Sequence, residues 1–335
     1  MPSKTHKKIR AAVIGGGNMG KNHLRNYFML PEAELVALAD INPDKKILAD
    51  EYKADFFTDY CKMLDKLRPE VVSIVVPTPL HAQVATEVIK RGIHCLLEKP
   101  IASTVKEADL LINLAKKHKV ILTVGHIEHY NPLVVTLKRL LDNNKVGDIT
   151  SVVCKRVGGF PPVEPKTDVI IDLAVHDIGI IGYLLNKKPK KINCHQSRTF
   201  HSNKIDSAEI LLDYGQASGF VQANWVTPVK IRTIAVTGSG GYIEGNYITQ
   251  ELECYEHNMQ IGVKGFPNFV STMGEPKKET MKVDFKEPLA EEIKAFLAVV
   301  NGEKDVYLVK PQEAREALKF ALLAVKPDNK KGIKK

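Results

Sequence analysis

No stretch of this chain stays apolar for the roughly 18–20 residues that cross a bilayer. The apolar run Val71 to Val76 is interrupted by Ser73 and has the length of a strand. The basic N-terminus is not followed by the apolar segment of a secretion signal, so a cytoplasmic location and no membrane partner are expected. Cysteine is scarce. The five (Cys61, Cys95, Cys154, Cys194 and Cys254) are odd in number, widely spaced, and include no CxxC pair. That excludes a disulfide framework or zinc knuckle and predicts reduced, core-filling thiols. Internal repeats are absent, and low complexity is confined to the lysine-rich C-terminal end.

The net charge of +9 over 335 residues is unevenly placed. Lys4, Lys7, Lys8 and Arg10 contribute four, and residues 326–335 another four, with five lysines against Asp328. Everything between sums to +1. A nucleic-acid binder carries its excess as a patch on a folded domain, not in two chain ends, so no nucleic-acid partner is expected. The length suits two domains of about 150 residues.

The first 125 residues alternate short apolar runs with amphipathic ones. Strands are expected at Ile9 to Ile14, Leu35 to Ala39, Val71 to Val76, His94 to Leu97 and Val120 to Val124. Helices are expected at Met19 to Leu30, Pro43 to Tyr52, Leu80 to Arg91 and Thr104 to His118. This alternation predicts an α/β Rossmann domain, a parallel, doubly wound sheet with helices on both faces.

After residue 125 a helix at Pro132 to Asp142 leads to longer strands that alternate polar and apolar residues. They are expected at Ile149 to Val157, Lys191 to Phe200, Ala208 to Tyr214, Ser218 to Val226 and Ile231 to Gly238. An apolar helix, Val169 to Leu185, is inserted, and two helices (Ala290 to Val300, Gln312 to Val325) close the chain. This predicts an α+β domain with a large, mainly antiparallel sheet. The expected division is 1–126, 127–325 and a basic disordered tail, 326–335.

Gly15, Gly17 and Gly20 spell G-x-G-x-x-G between the first strand and first helix, and Asp40 follows 20 residues after Gly20 at the end of the second strand. The motif alone is weak; its context makes it specific. Gly15 permits the tight turn, Gly17 lets backbone approach a pyrophosphate, and Gly20 lets helix and strand pack closely. Asn18 and Met19 would open the helix whose N-terminal N–H groups meet the phosphates. Asp40, with Ile41 beside it, would take the ribose hydroxyls and repel a 2′-phosphate. No arginine follows directly, so NAD is expected over NADP. The plainer alternative is a glycine-rich turn with an incidental aspartate.

Two further strand ends should face the cofactor. Pro77, Thr78 and His81 follow the Val71–Val76 strand, with a solvent-facing His81 as the equal alternative. The next strand ends in Glu98–Lys99–Pro100. A lysine there is placed to hydrogen-bond an alcohol oxygen, and the proline to hold a cis or otherwise fixed peptide. A surface Lys–Pro is the alternative. Further on, Asp172 and His176 lie four apart on an apolar helix, one turn from each other on one face. An imidazole beside a carboxylate suits a general base. A structural Asp–His hydrogen bond and two legs of a metal site are the alternatives, but no third ligand has a supporting motif, so no metal is expected.

In order, GGGNMG, Asp40, PTPLH and EKP resemble the glucose–fructose oxidoreductase/inositol dehydrogenase (Gfo/Idh/MocA) family over nearly the whole chain. The resemblance implies an NAD(P)-dependent dehydrogenase acting on a secondary alcohol of a sugar, with Lys99, Asp172 and His176 as the catalytic set. It also implies that Glu98 and the Thr78–His81 segment lie against the nicotinamide half. VGHIEHYNP (124–132) and the 155–179 run look like the UDP-N-acetylglucosamine 3-dehydrogenase branch, though His129–Tyr130 stands where that branch commonly has Arg–Phe, and Gly159 where it commonly has proline. On that resemblance His126, Tyr130, Asn131 and Arg156 line the substrate side, with Arg156 meeting a diphosphate. Tyr130 and Asn131 could instead simply cap the following helix. An inositol or free-aldose dehydrogenase and a non-catalytic NAD-binding sensor remain the alternatives. Family resemblance also implies a homodimer or homotetramer formed through the second domain's sheet.

Overall fold

The computed structural model describes residues 8–161, 165, 167–200, 203–256 and 277–326. Most of the expected N- and C-terminal basic tails lies outside them. The chain divides into two compact units, Met1–Tyr130 with Lys286–Lys319, and Asn131–Phe285 with Phe320–Lys335. Among the described residues no helix is long and apolar enough to cross a membrane.

The first unit is built on six parallel strands: β1 (Ile9–Ile14), β2 (Ala33–Ala39), β3 (Asp55–Phe57), β4 (Val71–Ile74), β5 (His94–Glu98) and β6 (Leu122–Gly125). Their order is β3-β2-β1-β4-β5-β6. The central strands β1 and β4 are buried almost throughout, because helices cover both faces. The crossovers are α1 (Asn18–Met29), α2 (Lys46–Glu51), α3 (Tyr60–Leu67), α4 (His81–Lys90) and α5 (Val105–His118). Local sequence sets the helix ends. Thr104 and Glu107 form a reciprocal capping box at the start of α5, and Asp59 accepts from the first amides of α3. The Pro43 to Tyr52 helix is shorter than expected, a 3-10 turn at Pro43–Lys45 leading into α2. Strand β3 and helix α3 were not expected; three residues are too few to show a period.

The second unit carries α6 (Pro132–Asp142), α7 (Val175–Leu185) and an eight-stranded sheet. Its strands are β7 (Ile149–Val157), β8 (Lys191–Ser197), β9 (Ser207–Asp213), β10 (Ser218–Asn224), β11 (Ile231–Gly238), β12 (Gly241–Asn246), β13 (Glu251–Glu256) and β14 (Lys277–Met281). The order is β14-β13-β12-β11-β7-β10-β9-β8, antiparallel except for the β10–β7 pair. Strict alternation of burial, as in β12, marks one covered face. The last three strands escaped the sequence reading: β12 holds two glycines, and β14 is nearly all polar.

The expected division at residue 126 needs one correction. Helix α8 (Pro288–Val300) belongs to the first unit, because its Ile293, Phe296 and Leu297 enter the same apolar core as Leu24 and Tyr27 of α1. The expected second domain is therefore not contiguous. Helix α9 (Pro311–Val325) ends the described chain.

Candidate active site

The carboxyl ends of β1, β2, β4 and β5 frame a cavity of about 540 Å³. It sits where the strand order reverses between β1 and β4, the place where open α/β sheets bind ligands. Gly15 turns the chain at φ +105°, and a Cβ there would overlap the Val75 carbonyl. A Cβ on Gly20 would overlap the Gly15 carbonyl, so helix and turn touch backbone to backbone. Over Gly17 the space is open for 4 Å. Gly17 is also the N-cap of α1 and offers no side-chain cap, which leaves the first amides of the helix for an anion.

Asp40 is fixed by two backbone donors: the Gly16 N–H at 2.6 Å and the Asn42 N–H at 2.8 Å. Open backbone at a helix N-terminus, with a braced carboxylate beside it, fits a dinucleotide's pyrophosphate and adenosine ribose. Asn18, Met19, Asp40, Ile41, Pro77, Glu98 and Lys99 all line the cavity, so the residues expected at the ribose and at the nicotinamide share one cavity.

Pro77 and Leu80 line this cavity, while Thr78 and His81 between and beside them do not reach its wall. Thr78 opens a 3-10 turn, Thr78–Leu80. His81 is 1% exposed, its Nδ1 at 2.8 Å from the Pro100 carbonyl and its Nε2 at 2.9 Å from that of Val76. It ties one strand end to the next. Burial lowers its pKa. Conversely, Lys45, Thr58, Tyr60 and Leu80 line the cavity unforeseen. The Lys45 stem packs over Gly16, beside Asp40; no fixed sequence spacing announces such a contact.

Glu98 ends β5 almost buried. Its Oε1 lies 3.1 Å from His23 Nε2, and its Oε2 accepts from the Lys99 N–H at 3.1 Å. Burial pushes the carboxyl up, but the His23 hydrogen bond, together with Lys99, outweighs it and holds Glu98 below the usual carboxylate range. The Lys99–Pro100 peptide is cis.

Three residues expected on the substrate side follow β6. His126 is buried, and desolvation together with the Lys99 charge pushes its pKa down to about 4. Tyr130 is also buried, its hydroxyl accepting from the Val309 N–H at 3.0 Å. Asn131 caps α6, accepting from the Leu133 N–H at 3.1 Å. The capping alternative describes Asn131, and Tyr130 braces the first unit's own chain.

Of the expected catalytic set, Lys99 belongs to the first unit and Asp172 and His176 to the second. The expected single helix is two windings: a π turn, Ile170–Ala174, carries Asp172, and α7 carries His176. Wide turns of this kind are common at functional sites. Asp172 is half-buried and His176 nearly sealed.

Arg156, expected on the substrate side, is engaged within its own unit. It donates from Nε and one terminal nitrogen to both carboxylate oxygens of Asp177, each at 2.8 Å. The two side chains are 6% and 1% exposed. The fork-to-fork geometry gives two charge-assisted hydrogen bonds in a buried setting. Among the described residues no three His, Cys, Asp or Glu side chains gather as metal ligands.

Residues 9–126 match the profile of an oxidoreductase family with an NAD-binding Rossmann fold, and residues 134–244 match the GFO/IDH/MocA C-terminal domain. A UDP-N-acetylglucosamine 3-dehydrogenase of Acidithiobacillus ferrooxidans is 27% identical over 303 residues, covering 89% of this chain and 91% of that protein. Its solved structure superposes with a TM-score of 0.82 at 25% identity, over 95% and 97% of the two chains. A scyllo-inositol 2-dehydrogenase (NAD(+)) of Bacillus subtilis is 26% identical over 250 residues, 69% of this chain and 73% of that one. With both of its units matched, and with a cavity built for a dinucleotide, the chain belongs to the Gfo/Idh/MocA family of oxidoreductases.

Proposed function

We propose that this protein is an NAD-dependent dehydrogenase that oxidises the C3 hydroxyl of a UDP-N-acetyl-sugar to a ketone. The observation that carries the reading is likeness along nearly the whole length, in both units, to a UDP-N-acetylglucosamine 3-dehydrogenase. The braced Asp40 carboxylate supports NAD over NADP, since it sits where a 2′-phosphate would have to go.

The bound cofactor accepts the hydride from the carbinol carbon; the remaining tasks fall to side chains. Lys99 hydrogen-bonds the reacting oxygen, His176 takes the hydroxyl proton, and Asp172 orients neighbouring hydroxyls. His126 is assigned to the substrate side as a neutral hydrogen-bonding group.

The test is turnover of NAD with UDP-N-acetylglucosamine, followed by the absorbance of reduced nicotinamide, with an amine trap or an aminotransferase drawing off the ketone. Signal that Lys99→Ala abolishes supports the reading. No signal with intact NAD binding moves the assignment to inositols and free aldoses, and failure there to a non-catalytic sensor. A pH–rate profile unchanged in His176→Ala would remove His176 as the base.

Self-association through the eight-stranded sheet is part of the same proposal. Leu211, Phe220 and Val153 stand in direct register across β9, β10 and β7, and all three are exposed in the single chain. Sedimentation of Phe220→Glu tests it, with a shift towards monomer expected.

A further inference from the structure

Behind the cavity wall at Glu98 lies a line of buried polar groups that neither the fingerprint nor the catalytic assignment uses. Tyr27 Oη is 2.9 Å from Ser73 Oγ, Ser73 Oγ is 3.0 Å from His23 Nδ1, and His23 Nε2 is 3.1 Å from Glu98 Oε1. Tyr27, Ser73 and His23 are wholly buried, and Glu98 is 8% exposed. They come from three elements, α1, β4 and β5. One assignment of protons satisfies every group. Tyr27 donates to Ser73, Ser73 to His23 Nδ1, and His23 Nε2–H to the acceptor-only carboxylate. The second carboxylate oxygen takes the Lys99 amide. Gly125 leaves the space the carboxylate occupies, since a Cβ there would lie 3.1–3.2 Å from the Glu98 carboxyl atoms.

A single buried hydrogen bond would serve stability alone. Here both oxygens of a carboxylate that lines the cavity are fixed, at the strand end expected to meet the nicotinamide. The oxidised nicotinamide ring is a cation and the reduced ring is neutral, so a fixed negative charge in a poorly screened site discriminates between them. Lys99 carries the opposing charge on a flexible stem; Glu98 is the group that cannot move away.

We propose that His23, relayed through Ser73 and Tyr27, is a positioning residue that fixes the Glu98 carboxylate at the strand end expected to meet the nicotinamide and thereby favours oxidised over reduced cofactor. The inference rests on the cofactor reading above. It concerns the ratio of two affinities, which that reading leaves open.

The experiment measures dissociation constants for NAD and NADH by titration calorimetry on the full chain, for the wild type and for His23→Leu, His23→Gln and Ser73→Ala. Loss of a hydrogen bond to a charged group predicts that NAD binding weakens about ten-fold in His23→Leu while NADH changes less than about two-fold. Glutamine retains a donor towards Glu98 and should restore most of the difference; Ser73→Ala should give an intermediate ratio.

The groups facing Glu98 are His23, Lys99, His126 and, on α8, Glu292. Without His23 the carboxyl loses the partner that keeps it ionised, so the acid loss of NAD affinity should move to higher pH. Equal weakening of both nucleotides, or an unchanged ratio in Ser73→Ala when His23→Leu does not fold, overturns the proposal. Failure of the wild type to bind either nucleotide overturns the cofactor reading instead.

Discussion

Arg156 of β7 and Asp177 of α7 hold each other through two parallel hydrogen bonds of 2.8 Å, 21 residues apart in sequence and nearly sealed from water. The guanidinium also lies 5.1 Å above the Tyr247 ring centroid. This pair clamps the α7 helix, which carries His176, to the sheet beneath it.

Removing Asp177 takes a bidentate carboxylate from a buried guanidinium, which costs on the order of 3 kcal/mol. Asp177→Ala is therefore expected to lower the urea midpoint of unfolding markedly. Arg156→Met combined with Asp177→Leu should recover most of the loss, because an apolar pair of similar volume removes the desolvation cost along with the attraction. A small effect of Asp177→Ala, within about 0.5 kcal/mol as for an ordinary surface substitution, would argue against the clamp.

The Asp40 carboxylate and the Lys45 stem meet over Gly16, which makes cofactor choice a matter of one charge. Asp40→Asn keeps an acceptor for the Gly16 amide but removes the repulsion of a 2′-phosphate. NADPH binding is expected to tighten about ten-fold, with Lys45 as the cation that accepts the phosphate. Adding Lys45→Met should erase that gain. Fluorescence titration of NADPH and NADH against the four variants checks it, and a gain independent of Lys45 would reject the role given to the lysine.

The contrast between Asp40 and Lys45 shows what the sequence could and could not carry. Gly15, Gly17, Gly20 and Asp40 are legible because each answers a local backbone demand at fixed spacing from a strand end. Lys45 enters the cavity because the helical turn after β2 folds back over Gly16, and Thr58 and Tyr60 enter through a strand too short to show a period. Tyr130, Asn131 and Arg156 each also satisfy a neighbour in the fold, which the sequence could not show: polar residues near a site are indistinguishable there from polar residues holding their own fold together. The return of α8 to the first unit is likewise a tertiary fact, since an amphipathic helix does not declare which core it enters.

Glu292 on α8 is fully buried, and neither carboxyl oxygen has a hydrogen-bond partner. Burial, and then the charge of Glu98, push its pKa well above the usual carboxylate range. A raised folded pKa means that the native state keeps a proton the unfolded chain releases above about 4.5. The associated stability is present below that pH and is lost as pH rises through the folded value. Glu292→Met should therefore stabilise the protein at neutral pH and remove the loss of stability that Glu292 itself contributes above about pH 4.5. Urea midpoints measured from acid to neutral pH test this. An unchanged slope would mean that Glu292 does not titrate differently in the two states.

The buried histidines act in the opposite direction. His126, its pKa driven down to about 4 by burial and by Lys99, is joined by His129, lowered by burial and by His126, and by His81, lowered by burial. For a depressed folded pKa the sign reverses. Their contribution is complete above the unfolded value of about 6.5 and is lost as pH falls, because the unfolded chain takes up protons that the native state refuses. For His126 alone the window from 6.5 to about 4 is worth on the order of 3 kcal/mol. Because Glu292 offsets one histidine between about pH 4.5 and 6.5, the Glu292→Met variant should lose stability with acid more steeply than the wild type. His126→Asn should then reduce the slope by about one proton across the same interval. If His126→Asn leaves the slope of the Glu292→Met background unchanged, the acid sensitivity must come from groups other than His126.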